Sequence, residues 1–165
     1  MATEFLALGS NVGDSQQYIS KAIELLGEKV SNIKTAPLYR SPAMPVPGHD
    51  DMPDFLNTAI RGETNLEPLE LLKFVKNIEK EIGRIYRFRW GPREIDIDII
   101  FYDDLILDTP ELTIPHSGAN ERDFVLKPIS DIDATFIDPK TKHMVNDLFE
   151  KLPVSELTIL HQSLE

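Results

Sequence analysis

Hydrophobic and polar residues alternate along this chain with two different spacings, which predict strands and helices in turn. Strand-like apolar segments cover 5–8, 30–40, 55–64 and 95–101. Between them, apolar residues recur twice at the 3.6-residue spacing of a helix face. These positions are Ile19, Ala22, Ile23 and Leu26 in the first predicted helix, and Leu71, Leu72, Val75, Ile78 and Ile82 in the second. The predicted order is therefore strand, helix, two strands, helix, strand.

Local signals predict where these elements begin and end. Asp14 or Ser15 can cap the first helix, because a short polar side chain satisfies free amides there. Pro68 suits the first position of the second helix, and Gly83 suits its end. Pro37 lacks an amide hydrogen, so it predicts an edge position or a bulge within 30–40.

This order predicts an α+β ferredoxin-like sandwich, a mostly antiparallel sheet with helices packed on its faces. At 165 residues, with no repeat or linker, the chain is expected to form a single domain over 1–165. Weaker patterns predict further short elements after the Asp-bearing strand. They are a strand at 105–107, a helix at 122–126, a turn at 138–140, a helix at 145–152 and a strand at 157–160.

The strand within residues 89–100, RWGPREIDIDII, carries two aspartates on one face. Its apolar face is predicted to consist of Ile95, Ile97, Ile99 and Phe101. That arrangement leaves Asp96 and Asp98 together on the opposite face, with Glu94 beside them. Their Cα atoms are then roughly 6–7 Å apart. Unit charges at that separation repel by about 2–3 kcal/mol at an effective dielectric of about 20, so a compensating cation is expected.

Spacing alone leaves two interpretations of these carboxylates open. The strand can be an exposed edge whose outer face is simply polar. Alternatively, the carboxylates form a site for Mg²⁺, which needs few protein oxygens and keeps its other positions for water and phosphate. Two metal ions roughly 3.5–4 Å apart fit between such carboxylates. A bare Asp-x-Asp does not decide between the two.

Composition and charge narrow the range of partners. The formal net charge is −11, which argues against general binding to nucleic acid or to an anionic membrane. The chain has no cysteine, so disulfides and thiolate-ligated metals are excluded. We find no signal-peptide pattern and no apolar run of membrane-spanning length, and we expect a cytoplasmic protein. Positive charge concentrates just before the aspartates, at Arg84, Arg87, Arg89 and Arg93.

Several other residues are candidates for ligand contacts. Phe55 and Asn57 share one strand face, where an aromatic ring and an amide can bind a flat heteroaromatic ligand, although an ordinary core role for Phe55 is the default. Trp90 lies in the arginine-rich loop, where it can cap the core or close over a ligand. His116 follows a proline in a short stretch, and a lone loop histidine is more often structural. The turn at 9–13 can hold an anion, but an ordinary strand-to-helix turn that needs glycine torsions is the favoured interpretation.

Taken together, these segments resemble the 6-hydroxymethyl-7,8-dihydropterin pyrophosphokinases of folate biosynthesis. The resemblance rests on seven segments in the same order over about residues 5–130. They are LALGSNVGD (6–14), LYRSPA (38–43), PDFLNTA (53–59), IEKEIGR (78–84), RWGPREIDIDII (89–100), LTIPH (112–116) and ERDFVLKPI (121–129).

The resemblance implies an enzyme that transfers pyrophosphate from ATP to the hydroxymethyl group of the pterin and releases AMP. It implies two Mg²⁺ ions held by Asp96 and Asp98, and ATP as the co-substrate. Arg84 and Arg93 match catalytic positions that engage the phosphates. It also implies linkage to, or association with, other enzymes of the folate pathway, because some members are fused to them.

The resemblance also assigns the two substrate pockets. The matching ATP-binding positions are Arg93, Ile99, Thr113, His116 and Arg122. The matching pterin-binding positions are Ser41, Pro42, Met44, Phe55, Asn57, Trp90 and Phe124, with Phe55 and Phe124 on either side of the ring.

Two other classes of function remain as alternatives from the residues. A metal-dependent nucleotidyl- or glycosyl-transferring enzyme can share the Asp-x-Asp pair, but it usually needs a larger nucleotide-binding domain. A ferredoxin-like binding module without catalysis can use the carboxylates for a structural cation or for none. Formation of AMP from ATP is the observation that separates these classes.

Overall fold

The structure is a computed structural model that describes residues 1–43, 48, 52–88, 91–153 and 157–161, the last four of these by their backbone alone. Its strands are β1 (Ala2–Ser10), β2 (Val30–Thr35), β3 (Leu38–Ser41), β4 (Phe55–Thr64), β5 (Asp96–Tyr102), β6 (Leu107–Asp108), β7 (Thr113–Ile114) and β8 (Thr158–His161). Its α-helices are α1 (Ser15–Leu26), α2 (Pro68–Ile82), α3 (Asp123–Ile132) and α4 (Val145–Glu150). A short 3₁₀ helix, Ala119–Glu121, precedes α3.

The main sheet confirms the predicted ferredoxin-like order. Its strands lie in the sequence β5-β1-β4-β3-β8, and β2 also pairs with β4. Every pairing between described strands is antiparallel. The predicted strand at 30–40 is divided into β2 and β3 around Ala36 and Pro37, because a proline cannot donate a ladder hydrogen bond. This break lets the chain bend while both halves stay on β4.

The helices cover both faces of the sheet. One core cluster joins α1 and α2 to Leu6, Leu8 and Ile60 of the sheet. A second cluster, on the opposite face, joins Phe5 and Ala59 to residues of α3 and α4. The predicted helix starts are confirmed: Asp14 accepts a hydrogen bond from the Gln17 amide at 3.2 Å, and Pro68 is the first residue of α2. None of the described helices is long and apolar enough to cross a bilayer.

The elements after β5 were predicted less well. The helix expected at 122–126 runs from Asp123 to Ile132 and contains Pro128, because the burial of Val125, Leu126 and Ile129 favours its continuation. The strand expected at 105–107 is β6, Leu107–Asp108, paired with β7. The helix expected at 145–152 ends at Glu150, and the strand expected at 157–160 is Thr158–His161, paired with β3.

The alternation along β5 holds only as far as Ile99. Ile95, Ile97 and Ile99 face α1 and α2, as predicted. Ile99 pairs with Leu6, but Phe101 pairs with Phe5, so β5 has one extra residue at this point. Because such a bulge reverses the alternation, Phe101 lies with Phe5 and Ile100 in the opposite cluster. The prediction that Phe101 shares the isoleucine face is therefore wrong.

Glu4 of β1 is the main polar exception in the interior. Its side chain is inaccessible to solvent, and neither carboxyl oxygen has a hydrogen-bond partner among the described residues other than its own backbone amide. Burial raises the pKa of Glu4 from 4.5 to about 7, and the Asp103 and Glu63 carboxylates add to this rise. The folded protein therefore binds a proton that the unfolded chain releases above pH 4.5.

We predict that Glu4 makes the protein less stable as the pH rises from about 4.5 to about 7. Because the folded-state pKa lies above the unfolded value, the contribution of Glu4 to stability is fully present below pH 4.5 and falls by roughly 3 kcal/mol across this window. Glu4→Gln removes this component. Chemical denaturation of both proteins at several pH values measures the difference, and parallel stability profiles would contradict the assignment.

Candidate active site

The two aspartates of β5 lie over small residues of the neighbouring strand. Asp96 pairs in register with Gly9, and Asp98 with Ala7. Side chains opposite one another in an antiparallel pair share a face, so the carboxylates project over a shallow floor. All four residues line one cleft, which encloses about 780 Å³ of space free of protein atoms, counted out to its open mouth. The predicted placement of Asp96 and Asp98 on a shared face is confirmed.

Asp96 is held by two arginines from different parts of the chain. Its Oδ1 lies 3.3 Å from Arg84 Nη1, and its Oδ2 lies 3.0 Å from Arg93 Nη1. Arg84 follows Gly83, which ends α2 with a φ of 109°, a backbone conformation that favours glycine. Both carboxyl oxygens of Asp96 are therefore paired, although each side chain remains about one-fifth to one-quarter exposed.

Asp98 receives much less compensation. Among the described residues, its one partner within ion-pair distance is His116, whose Nε2 lies 4.0 Å from Asp98 Oδ1 and carries a charge only when the ring is protonated. Partial burial raises the pKa of Asp98 from 3.8 to about 7, and the Asp96 charge adds to the rise, while Lys76 and Arg122 oppose it. The repulsion predicted from the sequence is thus relieved at Asp96 and persists at Asp98.

The donor set fits Mg²⁺. Two adjacent carboxylates supply hard oxygen ligands, and the excess negative charge at Asp98 favours a divalent cation. Within the described ranges, no group of three or more His, Cys, Asp or Glu side chains surrounds a common point. A cation bound here would therefore take most of its ligands from water and substrate, as Mg²⁺ does in phosphoryl-transfer sites.

His116 is oriented by the chain on both sides of it. Its backbone amide donates to Ile100 O at 3.1 Å, which attaches the histidine to the end of β5. Its Nδ1 accepts a hydrogen bond from the Gly118 amide at 3.2 Å. Burial lowers the pKa of His116, and the Arg122 charge lowers it further. The neutral ring then carries its proton on Nε2, the nitrogen that faces Asp98.

Asn11 connects the end of β1 to the start of the acidic strand. Its Oδ1 accepts a hydrogen bond from the backbone amide of Arg93 at 2.8 Å, and the backbone amide of Asn11 donates to Arg93 O at 3.1 Å. Its Nδ2 donates to Pro53 O at 3.2 Å. These bonds, with Gly13 at a φ of 72°, give the 9–13 turn a structural role, which is the interpretation favoured from the sequence.

Glu94 organises the arginine-rich loop between α2 and β5. Its carboxylate accepts two hydrogen bonds from Arg87, at 2.5 and 3.1 Å, and one from the Ile85 amide at 3.1 Å. Arg87 holds the pKa of Glu94 at about 2, well below its ordinary value. Arg87 is thus engaged inside the loop, away from the aspartates. Arg89 lies outside the described residues.

The other end of the cleft contains the residues predicted to bind a pterin. Asn57 Nδ2 donates to Ser41 Oγ at 2.6 Å, and both residues are buried. A side chain at Gly9 would bring its Cβ within 3.1 Å of Asn57 Oδ1 and 3.5 Å of the Phe55 ring, so glycine keeps this end open. The cleft is also lined by Pro42, Phe55 and Phe124. Met44 and Trp90, the remaining predicted pterin contacts, lie outside the described residues.

The predicted nucleotide-side residues are less closely grouped. Arg93 and Arg122 line the cleft, and the Arg122 guanidinium lies 5.9 Å from the centre of the Phe124 ring. Ile99 is buried in β5, and Thr113 lies in β7, next to Ile114 and the Pro115–His116 segment. The structure places Asp96 and Asp98, Arg93 and Arg122, and the described residues predicted to bind a pterin around one cleft. Their roles in binding stay predictions.

The sequence patterns did not predict a role for two residues that are important to this geometry. Glu79 of α2 is only 3% exposed and contacts Arg84, and Gly9 forms the floor beneath Asp96. A signal for Glu79 was present, because it follows Leu71 and Val75 at four-residue steps on the apolar face of the helix. Gly9 gave no such signal, since a glycine at a strand end is usually explained by the turn that follows.

Comparison with known proteins assigns the family. Residues 5–134 match the model of 7,8-dihydro-6-hydroxymethylpterin-pyrophosphokinase (HPPK). A 2-amino-4-hydroxy-6-hydroxymethyldihydropteridine pyrophosphokinase from Aquifex aeolicus is 46% identical over 139 residues, which cover 84% of this chain and 85% of the relative. The chain belongs to the HPPK family. Membership identifies it as a pyrophosphokinase and removes both the glycosyl-transferring enzyme and the non-catalytic module from consideration.

Some relatives of this HPPK chain are longer proteins. The bifunctional protein FolKE of Lactococcus lactis is 44% identical over 166 residues, covering 99% of this chain but 45% of that protein. The crystal structure of wild-type HPPK-DHPS from Plasmodium falciparum has a TM-score of 0.72 at 15% identity, covering 91% of this chain and 44% of that one. The structural likeness confirms the fold.

Substitution of the two aspartates is predicted to have different effects on the stability of the fold. Both substitutions are predicted to prevent nucleotide binding. Asp96→Asn weakens the pairing of Arg84 and Arg93 and should cost about 1 kcal/mol, whereas Asp98→Asn removes an uncompensated charge and should not destabilise the fold. Both should abolish Mg²⁺-dependent binding of a non-hydrolysable ATP analogue. Denaturant titration and calorimetry measure the two effects, and wild-type affinity in Asp98→Asn would refute the metal assignment.

Proposed function

We propose that this chain transfers pyrophosphate from ATP to the hydroxymethyl group of 6-hydroxymethyl-7,8-dihydropterin, with Mg²⁺, as a step of tetrahydrofolate biosynthesis. The substrate hydroxyl attacks the β-phosphorus and releases its proton, and the bond from the β-phosphorus to the bridging oxygen of AMP breaks. The products are AMP and the pterin diphosphate. The observation that carries the proposal is that a single cleft holds the acidic pair at one end and the aromatic and amide residues at the other.

At the pterin end, the side chains suit a flat, hydrogen-bonding ring. Phe55 and Phe124 provide aromatic surface, and the buried pair of Asn57 and Ser41 provides polar groups. The bond from Asn57 Nδ2 to Ser41 fixes the orientation of the side-chain amide. Its oxygen is then the acceptor that suits the N–H groups of the ring. Gly9 leaves room for the ring beside Asn57 and Phe55.

At the nucleotide end, the chain supplies positive charge around the carboxylates. Mg²⁺ held by Asp96 and Asp98 would neutralise the triphosphate and make the β-phosphorus more open to attack. Arg84 and Arg93, which now hold Asp96, are placed to turn to phosphate oxygens when a nucleotide is present. Arg122 and His116 flank Asp98 and suit contacts with the nucleotide.

The positioning of these groups accounts for catalysis without a dedicated base. Phosphoryl transfer depends mainly on holding the two reactants in line and on stabilising charge. The cleft is bounded by ends of β1, β3, β4 and β5, so its polar groups are fixed by the sheet. We assign the role of positioning the hydroxyl to the pterin end and that of stabilising charge to Arg84 and Arg93.

The whole described chain fits a single catalytic domain over 1–165. Beyond the family match at 5–134, α4 packs on α3 and β8 extends the main sheet. Since FolKE and HPPK-DHPS are larger proteins that contain a similar region, we propose that this chain also works in association with other enzymes of the folate pathway. We also propose that the reaction takes place in the cytoplasm, where ATP is available.

The reaction is tested by the products formed from ATP, Mg²⁺ and the pterin. We expect AMP to appear in equal amount to the pterin diphosphate, and only when both the pterin and Mg²⁺ are present. Chromatography of the nucleotides distinguishes AMP from ADP. Release of ADP would identify a simple kinase, and no turnover by folded protein would overturn the proposed reaction.

Asn57→Ala is predicted to weaken pterin binding selectively. Loss of the amide removes hydrogen bonds in a buried pocket and should raise the pterin dissociation constant by roughly 10- to 100-fold. Binding of an ATP analogue should change by less than about twofold, because Asn57 lies two strands away from Asp96, on the other side of Gly9. Asn65→Ala, an exposed amide just beyond the far end of β4, is the matched control. Equal weakening of both ligands would contradict the assignment.

A further inference from the structure

Glu79 is a buried charge that the proposed reaction does not use. It lies in α2 with 3% of its surface exposed, on the helix face that also carries Val75 and Leu71. A carboxylate in such a position is costly unless it is paired and hydrogen-bonded. Its partners therefore show what the residue does.

Those partners lie on α2, in the loop that follows it and on β5. Glu79 Oε1 accepts a hydrogen bond from Arg84 Nη1 at 2.8 Å and lies 3.3 Å from Lys76 Nζ. Its Oε2 accepts a hydrogen bond from the backbone amide of Ile97 at 2.8 Å. One carboxylate thus contacts a predicted phosphate-binding arginine and the peptide group between Asp96 and Asp98.

The contact with Ile97 fixes the strand that carries the aspartates. β5 is at the edge of the described sheet, so β1 pairs with it on one side only. The outward amide of an edge strand needs another acceptor, and Glu79 provides it from the helix above. Since Ile97 is buried and lies between the two aspartates, its anchoring sets the backbone from which both carboxylates project.

The contact with Arg84 gives that side chain a second, closer partner than Asp96. Arg84 Nη1 is 2.8 Å from Glu79 and 3.3 Å from Asp96. If Asp96 is engaged by a cation, the Glu79 contact still holds the guanidinium close to Asp96. The same side chain therefore limits the positions that Arg84 can adopt.

We infer that Glu79 is a positioning residue that sets Arg84 and the Asp96–Asp98 backbone relative to one another. This inference rests on the proposed function, because it assumes that Arg84 acts on the phosphates of ATP. A purely structural role, in which Glu79 only joins α2 to β5, predicts a loss of stability with no coupling to Arg84.

The test is a double-mutant cycle of Glu79→Gln and Arg84→Ala. Glutamine keeps the size of the side chain but removes its charge. With a single oxygen, it cannot accept from Arg84 and from the Ile97 amide through separate atoms. Each single variant should lower kcat/KM for ATP by at least about tenfold, with KM for the pterin within about twofold of wild type. The double variant should fall short of the product of the two single effects, because the part of the Glu79 effect that acts through Arg84 is already lost in Arg84→Ala, whereas its contact with Ile97 is separate. Effects that multiply in the double variant would overturn the inference.

A second readout does not depend on turnover. Hydrogen exchange at the Ile97 amide should become at least about tenfold faster in Glu79→Gln and remain unchanged in Arg84→Ala. Calorimetry with a non-hydrolysable ATP analogue should show weaker binding in both variants. Unchanged exchange at Ile97 in Glu79→Gln would also overturn the inference. Wild-type protein that forms no AMP would instead overturn the proposed function, while the exchange measurement would still report on Glu79.

Matched variants complete the experiment. Glu81→Gln makes the same charge change at an exposed position of the same helix and should leave kinetics and exchange unchanged. If Glu79→Gln does not fold, Glu79→Asp retains the charge with a shorter side chain. It should lower kcat/KM for ATP, and its effect in combination with Arg84→Ala should again be smaller than the product of the two single effects. Wild-type kcat/KM for ATP in folded Glu79→Asp, or effects that multiply, would refute the positioning role.

Discussion

The rest of the site depends on the repulsion between two carboxylates on one strand. Asp96 and Asp98 project from the same face of β5, and protein groups compensate only the first of them fully. Arg84 and Arg93 are drawn to Asp96 from the end of α2 and from the loop before β5. The excess charge that remains at Asp98 is what makes the site suitable for a divalent cation. The free protein therefore already holds together the carboxylates and arginines that a metal–triphosphate complex would need.

Neutral hydrogen bonds and buried ion pairs keep these charges in place. Asn11 fixes the backbone of Arg93 to the end of β1, and Glu79 joins Arg84 to the edge of β5. Glu94 and Arg87 hold the intervening loop together without using the aspartates. These contacts come from four separate segments, and each uses a side chain to satisfy a backbone group or charge that the sheet leaves free. The cleft is thus assembled at the points where regular secondary structure ends.

Much of the fold and part of the site followed from local patterns. The strand and helix order, the Asp14 cap and Pro68 at the start of α2 depend on short-range geometry, and each was predicted. Pro37 was expected to mark an edge position or a bulge, and in the structure it separates β2 from β3. Phe101 was placed on the wrong face because a bulge depends on how β5 pairs with β1, which no single strand encodes. The length of α3 was underestimated because burial of its apolar face stabilises the helix by more than Pro128 destabilises it. Family resemblance, carried by several spaced segments, pointed to the enzyme class more directly than the periodicity did.

By itself, the sequence determined that two aspartates share a strand face, that arginines precede them, and that an aromatic and an amide stand together on another strand. These are consequences of a two-residue repeat and of proximity along the chain. Only the tertiary structure decided which arginines reach Asp96, that Arg87 pairs with Glu94 instead, and that Glu79 links α2 to β5. Those outcomes depend on distances between segments far apart in sequence. An ion pair or a buried hydrogen bond forms only when packing of the helices on the sheet brings its partners within about 3 Å.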